Sequence, residues 1–357
     1  MRARRISVAD LGLLSPDELA GAVLLGGIRL PDRSLAKGTR LGPADACDLV
    51  RAAAEGRLTE SVRVAWAEPG DLHENDAAER LALAVGGAGV ELRTPRQSRL
   101  DLLAKWPGVL HVRVSPLGRV NAIDPLEVFT LYHGQAVAAG RVVASVKVAP
   151  HLVPEEAVQR GVRIAREEGP LVEVRPYLPL EVGAIAAEAL GPDDLARFEA
   201  GARAKIEALG SRFTGTTVVS DRDPDAAERG ARQALEELVH DRGLRVVLVG
   251  GVSAGDPLAP FFAALGGLGG QVLRRGVPAH PGSMIWLARL GDSRLLGLPS
   301  CGMFALATAA DLVLPRLLTG ELLEAADLGD LGHGGILGRE MRFRFPGYAR
   351  DLEAPEG

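Results

Sequence analysis

Three short stretches combine residue types suited to holding a charged or flat polar ligand. They are Gly250-Gly251-Val252-Ser253-Ala254-Gly255-Asp256-Pro257, His280-Pro281-Gly282-Ser283 and Gly297-Leu298-Pro299-Ser300-Cys301-Gly302. The first follows the apolar run Arg245-Val246-Val247-Leu248-Val249, which reads as a buried strand, and its glycines let backbone N–H groups approach a phosphate or a flat cofactor. In open α/β sheets such ligands sit beyond the carboxyl ends of the strands. The first and third stretches each join a strand end to a helix start, so they are expected to converge on one crevice as paired anion-binding surfaces.

The side chains in these stretches have alternative readings. Asp256 before Pro257 is either an ordinary helix cap or a metal-side carboxylate, because at that position it would repel a phosphate. Cys301 at a helix start is a small packing residue or a nucleophile, since a thiolate is stabilised there. His280 is an exposed turn residue or a donor reaching into the crevice. His73-Glu74-Asn75-Asp76 offers one histidine and no second ligand motif, so it reads as an acidic helix start capped by Asn75 or Asp76.

The elements that position these stretches follow from periodicity. Ser61 to Trp66, Val109 to Val114, Val142 to Val148 and Leu171 to Val174 read as strands, with helices through Leu49 to Ala54 and over Asp76 to Val85. Pro176 and Pro179 interrupt the pattern, giving a mixed α+β region over 1–175, an α/β domain over 176–325 and a tail over 326–357. From Val182 strands and helices alternate: a helix over Asp193 to Leu209, a strand over Phe213 to Val219, and a helix capped by Asp223. Beyond Arg245 to Val249 come a helix from Asp256 to about Leu265, a strand over Gln271 to Val277, a hairpin around Gly291-Asp292-Ser293, and a helix over Gly302 to Leu318. This rhythm predicts a parallel sheet covered on both faces, a three-layer α/β domain.

Composition narrows the classes. With 357 residues the chain can bury substantial cores without a metal or disulfides, and its two cysteines, Cys47 and Cys301, lie far apart, which suits a reducing, cytoplasmic setting. Net charge is −5, with 41 basic and 46 acidic residues intermixed, so no footprint for nucleic acid stands out. The apolar stretch from Ala20 to Leu30 is too short to span a bilayer.

The stretch from Val246 to Glu321 resembles the molybdopterin-binding domain shared by molybdopterin molybdenumtransferases, the gephyrin C-terminal domain and molybdopterin adenylyltransferases. Gly250-Gly251-Val252-Ser253 with its Asp-bearing turn, the Pro-Gly turn at His280 to Met284, and Gly297-Leu298-Pro299 carry the likeness. Asp71 to Ala78, Asp311 to Arg316 and Leu331-Gly332-His333-Gly334-Gly335 extend it to a subgroup of stand-alone molybdopterin-binding proteins with a transferase-like first half. The resemblance implies that backbone N–H groups of Gly250 to Ser253 and Ser300 to Gly302 hold the phosphate and pterin of molybdopterin, with Asp256 and Glu188 on the metal side. It implies a homodimer serving cofactor maturation or delivery to a molybdenum enzyme. An active molybdenumtransferase, aided by a cation such as Mg2+ and with Asp256 as its catalytic residue, is the alternative; a scaffold that keeps the fold without binding pterin is another. Where the family reads Thr-Gly-Asp-Glu or Thr-Gly-Asn-Glu, this chain reads Ile185-Ala186-Ala187-Glu188-Ala189, and Ile336 to Gly357 lacks the subgroup's cysteines. The first departure favours binding over molybdate transfer, and the second removes any metal role for the tail.

Overall fold

The structure, a computed structural model, describes residues 1–93, 99–219, 223–304 and 307–350, with Ser300, Cys301 and Arg350 described through their backbone only. It divides into two compact units: residues 1–105, 111–133 and 139–174 form the first, and residues 106–110, 134–138 and the chain from Arg175 on form the second.

The first unit is built on antiparallel pairing. Arg2–Ile6, Val62–Trp66 and Val23–Leu24 make one sheet, and Leu126–Thr130, Val142–Val148, Arg99–Ala104 and Val90–Leu92 make another. A third antiparallel pair joins Leu152–Pro154 to Asp71–His73. Helix Pro43–Ala54 starts with proline at its first position and buries Ala46, Leu49, Ala52 and Ala53 along one stripe. Helix Glu74–Val85 is capped by His73, whose Nδ1 accepts the Asn75 N–H at 3.3 Å, so neither Asn75 nor Asp76 takes the expected capping role.

In the second unit the chain order is β1 (Glu181–Ala186), α1 (Pro192–Glu207), β2 (Arg212–Val218), α2 (Pro224–Leu235), β3 (Val246–Gly250), α3 (Pro260–Gly267), β4 (Gln271–Arg275), β5 (Trp286–Leu290), β6 (Ser293–Leu298), α4 (Ser300–Met303) and α5 (Ala310–Leu317). The six strands form one sheet in the order β2-β1-β3-β6-β5-β4. Both faces are buried, and successive residues alternate between them, as the pleat requires. Val246, Leu248 and Leu296 pack with Phe198, Ala202 and Ile206 of α1 and with α5, while Val247, Val249 and Leu295 pack with Ala231 and Leu235 of α2 and with Phe261 and Leu265 of α3. Leu328, Leu331, Leu337, Phe345 and Ala349 join the first of these cores.

The expected parallel sheet is mixed, and one antiparallel pair in it is the hairpin expected around Gly291-Asp292-Ser293. β2, β1, β3 and β6 run parallel, but β5 pairs antiparallel with β6 and β4 antiparallel with β5. Only Gly291 and Asp292 separate β5 from β6, and so short a link permits only a hairpin. Two helix boundaries also differ from expectation. The helix after β3 starts at Pro260, because Asp256 Oδ1 accepts the Leu258 N–H at 3.0 Å and closes a local turn, and Ala259, held extended before a proline, becomes the cap. The helix expected over Gly302 to Leu318 is two helices, α4 and α5, separated by a stretch in which Ala307 takes a φ of 90°. No helix among the described residues is long and apolar enough to cross a membrane.

Candidate functional site

The Gly250 and Gly297 turns come together because their strands are neighbours in register, with the end of β1 beside them. Ala186 is level with Gly250, and Gly250 with Leu298, so β1, β3 and β6 end side by side at their carboxyl ends. Two backbone bonds lock the ends: Ala187 N–H donates to Gly250 O at 2.9 Å, and Gly251 N–H to Leu298 O at 3.0 Å. Gly251 then turns the chain with a φ of 82°, a conformation that glycine adopts without steric cost. Glu188 lies against this turn: a Cβ on Gly251 would fall 2.7 Å from Glu188 Cγ. The side chain of Glu188 thus borders the glycine turn directly.

Beyond Gly251 the backbone is unusually open. The N–H groups of Val252, Ser253 and Ala254 have no hydrogen-bond acceptor among the described residues, whereas Gly255 N–H donates to Ser253 Oγ at 3.2 Å and Asp256 N–H to Ser253 O at 3.3 Å. Consecutive unpartnered N–H groups in a turn form a concavity suited to an anion. The side chains of Val252 and Ala254 point into the core, so this segment offers its backbone rather than its side chains. Met303 lies over Gly250, where a Cβ would meet its Cε at 2.5 Å; this contact was not legible in the sequence.

The His280 turn is positioned by its own partners. Pro281 O accepts the Ala309 N–H at 2.9 Å, and a Cβ on Gly282 would sit 2.6 Å from Ala309 N, so only glycine allows this approach. His280 itself is exposed, while its backbone pairs with the tail: His280 N–H donates to Gly335 O and Leu337 N–H to His280 O, both at 2.8 Å. Met284, just after Ser283, brings its Cε within 3.4 Å of a Cβ on Gly255, which sets this turn beside the Gly250–Asp256 turn.

The remaining predicted residues separate into packing and surface roles. Gly297 faces Trp286 in register, and a Cβ there would overlap the indole ring, so this glycine serves packing. Leu298 is a core residue; Pro299 caps α4, and Gly302 N–H donates to Pro299 O at 2.7 Å. With four residues, α4 is too short to present the positive end expected at Ser300 and Cys301. Asp256 is exposed and is not a helix cap. Among the described residues no three or more His, Cys, Asp or Glu side chains converge to hold a metal.

One buried charged group supports the rim. Asp311 is fully buried; its Oδ2 accepts N–H bonds from Ala307 at 3.2 Å and Thr308 at 2.8 Å, and its Oδ1 meets Lys205 Nζ at 2.8 Å and the Tyr348 hydroxyl at 3.1 Å. Burial, and then the negative charge of Asp311, push the Tyr348 hydroxyl well above its ordinary pKa.

This is an α/β protein in which three parallel strands end side by side in glycine-containing turns. No family model matches the chain, and no curated protein matches it in sequence. Among solved structures it is similar to the molybdopterin biosynthesis enzyme MoaB from Thermus thermophilus, with 20% identity over 40% of this chain and 98% of that one at a TM-score of 0.28. It is also similar to the molybdopterin biosynthesis MoeA protein from Pyrococcus horikoshii, with 14% identity over 72% of this chain and 81% of that one at a TM-score of 0.26. A third is MogA, with 16% identity over 38% of this chain and 90% of that one, also at a TM-score of 0.26. At these scores the likeness assigns no residue a role.

Proposed function

We propose that this protein binds molybdopterin, or its metallated form, in the crevice at the ends of β1, β3 and β6 and serves maturation or delivery of that cofactor. One observation carries the reading: the three consecutive N–H groups of Val252 to Ala254, without an acceptor among the described residues, follow Gly251, which lies against Glu188 and is bonded to Leu298. The N–H row would hold the ligand's phosphate, and the Pro281–Ser283 turn would bound the pterin. Glu188 would accept N–H bonds from the ligand. The motifs at Gly250, His280 and Gly297 support the choice of ligand.

Asp256 would border the same crevice, with Oδ1 already committed to Leu258 N–H. Among the described residues no cluster of three or more His, Cys, Asp or Glu side chains surrounds it. The same reading takes the protein as a homodimer that hands its ligand to a molybdenum enzyme; sedimentation tests the dimer.

The experiment is a titration with molybdopterin, read after oxidation to its fluorescent pterin. Wild-type protein is expected to bind saturably, and Ser253→Trp, which fills the mouth of the turn, at least tenfold more weakly. Equal, negligible binding by both proteins rules the reading out. If molybdate is then incorporated into the bound ligand, the protein is a transferase as well as a carrier.

A further inference from the structure

We propose that the first unit holds a second small-molecule site, at Gly38, Glu74, Asn75 and His151, for a ligand that presents an amidine-type N–H edge and carries an anionic arm. The register of the Asp71–His73 and Leu152–Pro154 strands places His73 opposite Leu152, and Glu74 N–H donates to His151 O at 2.9 Å. Glu74 is thereby drawn inside, with 3% of its surface exposed. A buried carboxylate is costly unless its oxygens are satisfied. Oε2 meets His151 Nδ1 at 2.6 Å, but Oε1 has no protein partner among the described residues. Asn75, the next residue and part of the same lining, has its Oδ1 buried without a donor. Native interiors leave few such groups, and two acceptors in one wall point to a ligand that donates.

The surroundings fit such a donor. A cavity of ≈ 420 Å³ is lined by Lys37, Gly38, Arg40, His73, Glu74 and Asn75, and falls within the usual range for small-molecule pockets. Gly38 takes a φ of 80°, and a Cβ on it would collide with Glu74 Oε1, so a side chain there would cover the free oxygen. His73 contributes no acceptor: its Nδ1 receives Asn75 N–H, so its Nε2–H donates to Gly38 O at 3.0 Å. At the rim Arg40 pairs with Asp76, while the exposed Lys37 ammonium has no partner among the described residues. An N–H edge against Glu74 and Asn75, with an anionic arm toward Lys37, satisfies all three groups.

Two probes share this chemistry and differ in charge: 4-guanidinobutyrate carries a cationic edge, and pterin-6-carboxylate a neutral aminopyrimidinone edge. Calorimetric titration of the full chain is expected to show saturable binding of at least one, with a shift of the His151 imidazole NMR signal. Glu74→Gln preserves an acceptor for His151 but puts an N–H₂ where Oε1 was, and should weaken binding at least tenfold; Lys37→Ala should weaken it by a smaller factor. Matching melting temperatures for wild-type and Glu74→Gln protein establish that the fold is intact, and should they differ, Lys37→Ala carries the comparison. The proposal is overturned if neither probe binds, if His151 does not respond, or if Lys37→Ala and every folded Glu74 variant bind as the wild type does.

Discussion

The parallel and antiparallel sides of the second unit's sheet both end in glycine-rich chain, yet they use glycine for opposite purposes. On the antiparallel side Gly297 makes room for Trp286, which is fully buried with Phe261 and Phe262 at ring-centroid distances of 5.6 and 5.1 Å. Every polar atom of that indole is used, since Nε1–H donates to Val252 O at 2.9 Å. On the parallel side Gly251 turns the chain so that the following N–H groups have no acceptor among the described residues. A closed aromatic cluster and an open backbone thus meet at Val252, whose carbonyl is held by one side and whose N–H is free on the other. A glycine motif alone therefore does not mark a ligand site; what marks it is unfinished hydrogen bonding beside it.

The largest expected effect breaks the closed side. Gly297→Ala drives a methyl into the Trp286 ring, and overpacking of this kind costs about 3 kcal/mol, the upper end of its usual range. Urea unfolding should show the loss as a lower midpoint with an unchanged slope. A midpoint like that of the wild type would mean that Gly297 is not held for packing.

A smaller change tests the junction between the two sides. Trp286→Phe keeps an aromatic ring but removes the Nε1–H, leaving Val252 O without its donor at a cost of about 1–2 kcal/mol. Because the same residue's N–H belongs to the proposed anion row, molybdopterin binding should also weaken, by a few fold. Loss of stability with unaltered affinity would separate the aromatic cluster from the crevice.

Much of this comparison was legible locally. The strand Arg245 to Val249, the hairpin around Gly291-Asp292 and the turns themselves follow from runs and spacings within about ten residues, and the structure has them. The direction of β4 was not legible, because it depends on which neighbour pairs with β5. Nor was the start of α3, where Asp256 closes a turn instead of capping the helix. Contacts between distant segments were invisible for the same reason: Glu74 with His151, Met303 over Gly250, and Asp311 with Lys205 and Tyr348 involve residues that no local pattern relates. Sequence thus located the open turns, while the groups that brace them came only from tertiary packing.

The smallest effect concerns that bracing on the parallel side, and it is a matter of pH. The Tyr348 hydroxyl donates to Asp311, the carboxylate that also holds Ala307 and Thr308 N–H next to the Pro281–Gly282 turn. Burial and the Asp311 charge raise its pKa above the ordinary 10.0, so the folded state keeps the phenol proton after the unfolded chain has begun to lose it. The contribution to stability is therefore fully present below pH 10 and is lost as pH rises through the folded-state value. Wild-type protein should lose urea stability more steeply above about pH 10 than Tyr348→Phe, which has no proton to lose there. At neutral pH the two should differ only by the hydrogen bond, about 1 kcal/mol. If both lose stability in parallel through that alkaline range, the hydroxyl is not held by Asp311 in solution, and that carboxylate is braced by Lys205 and the Ala307 and Thr308 N–H groups.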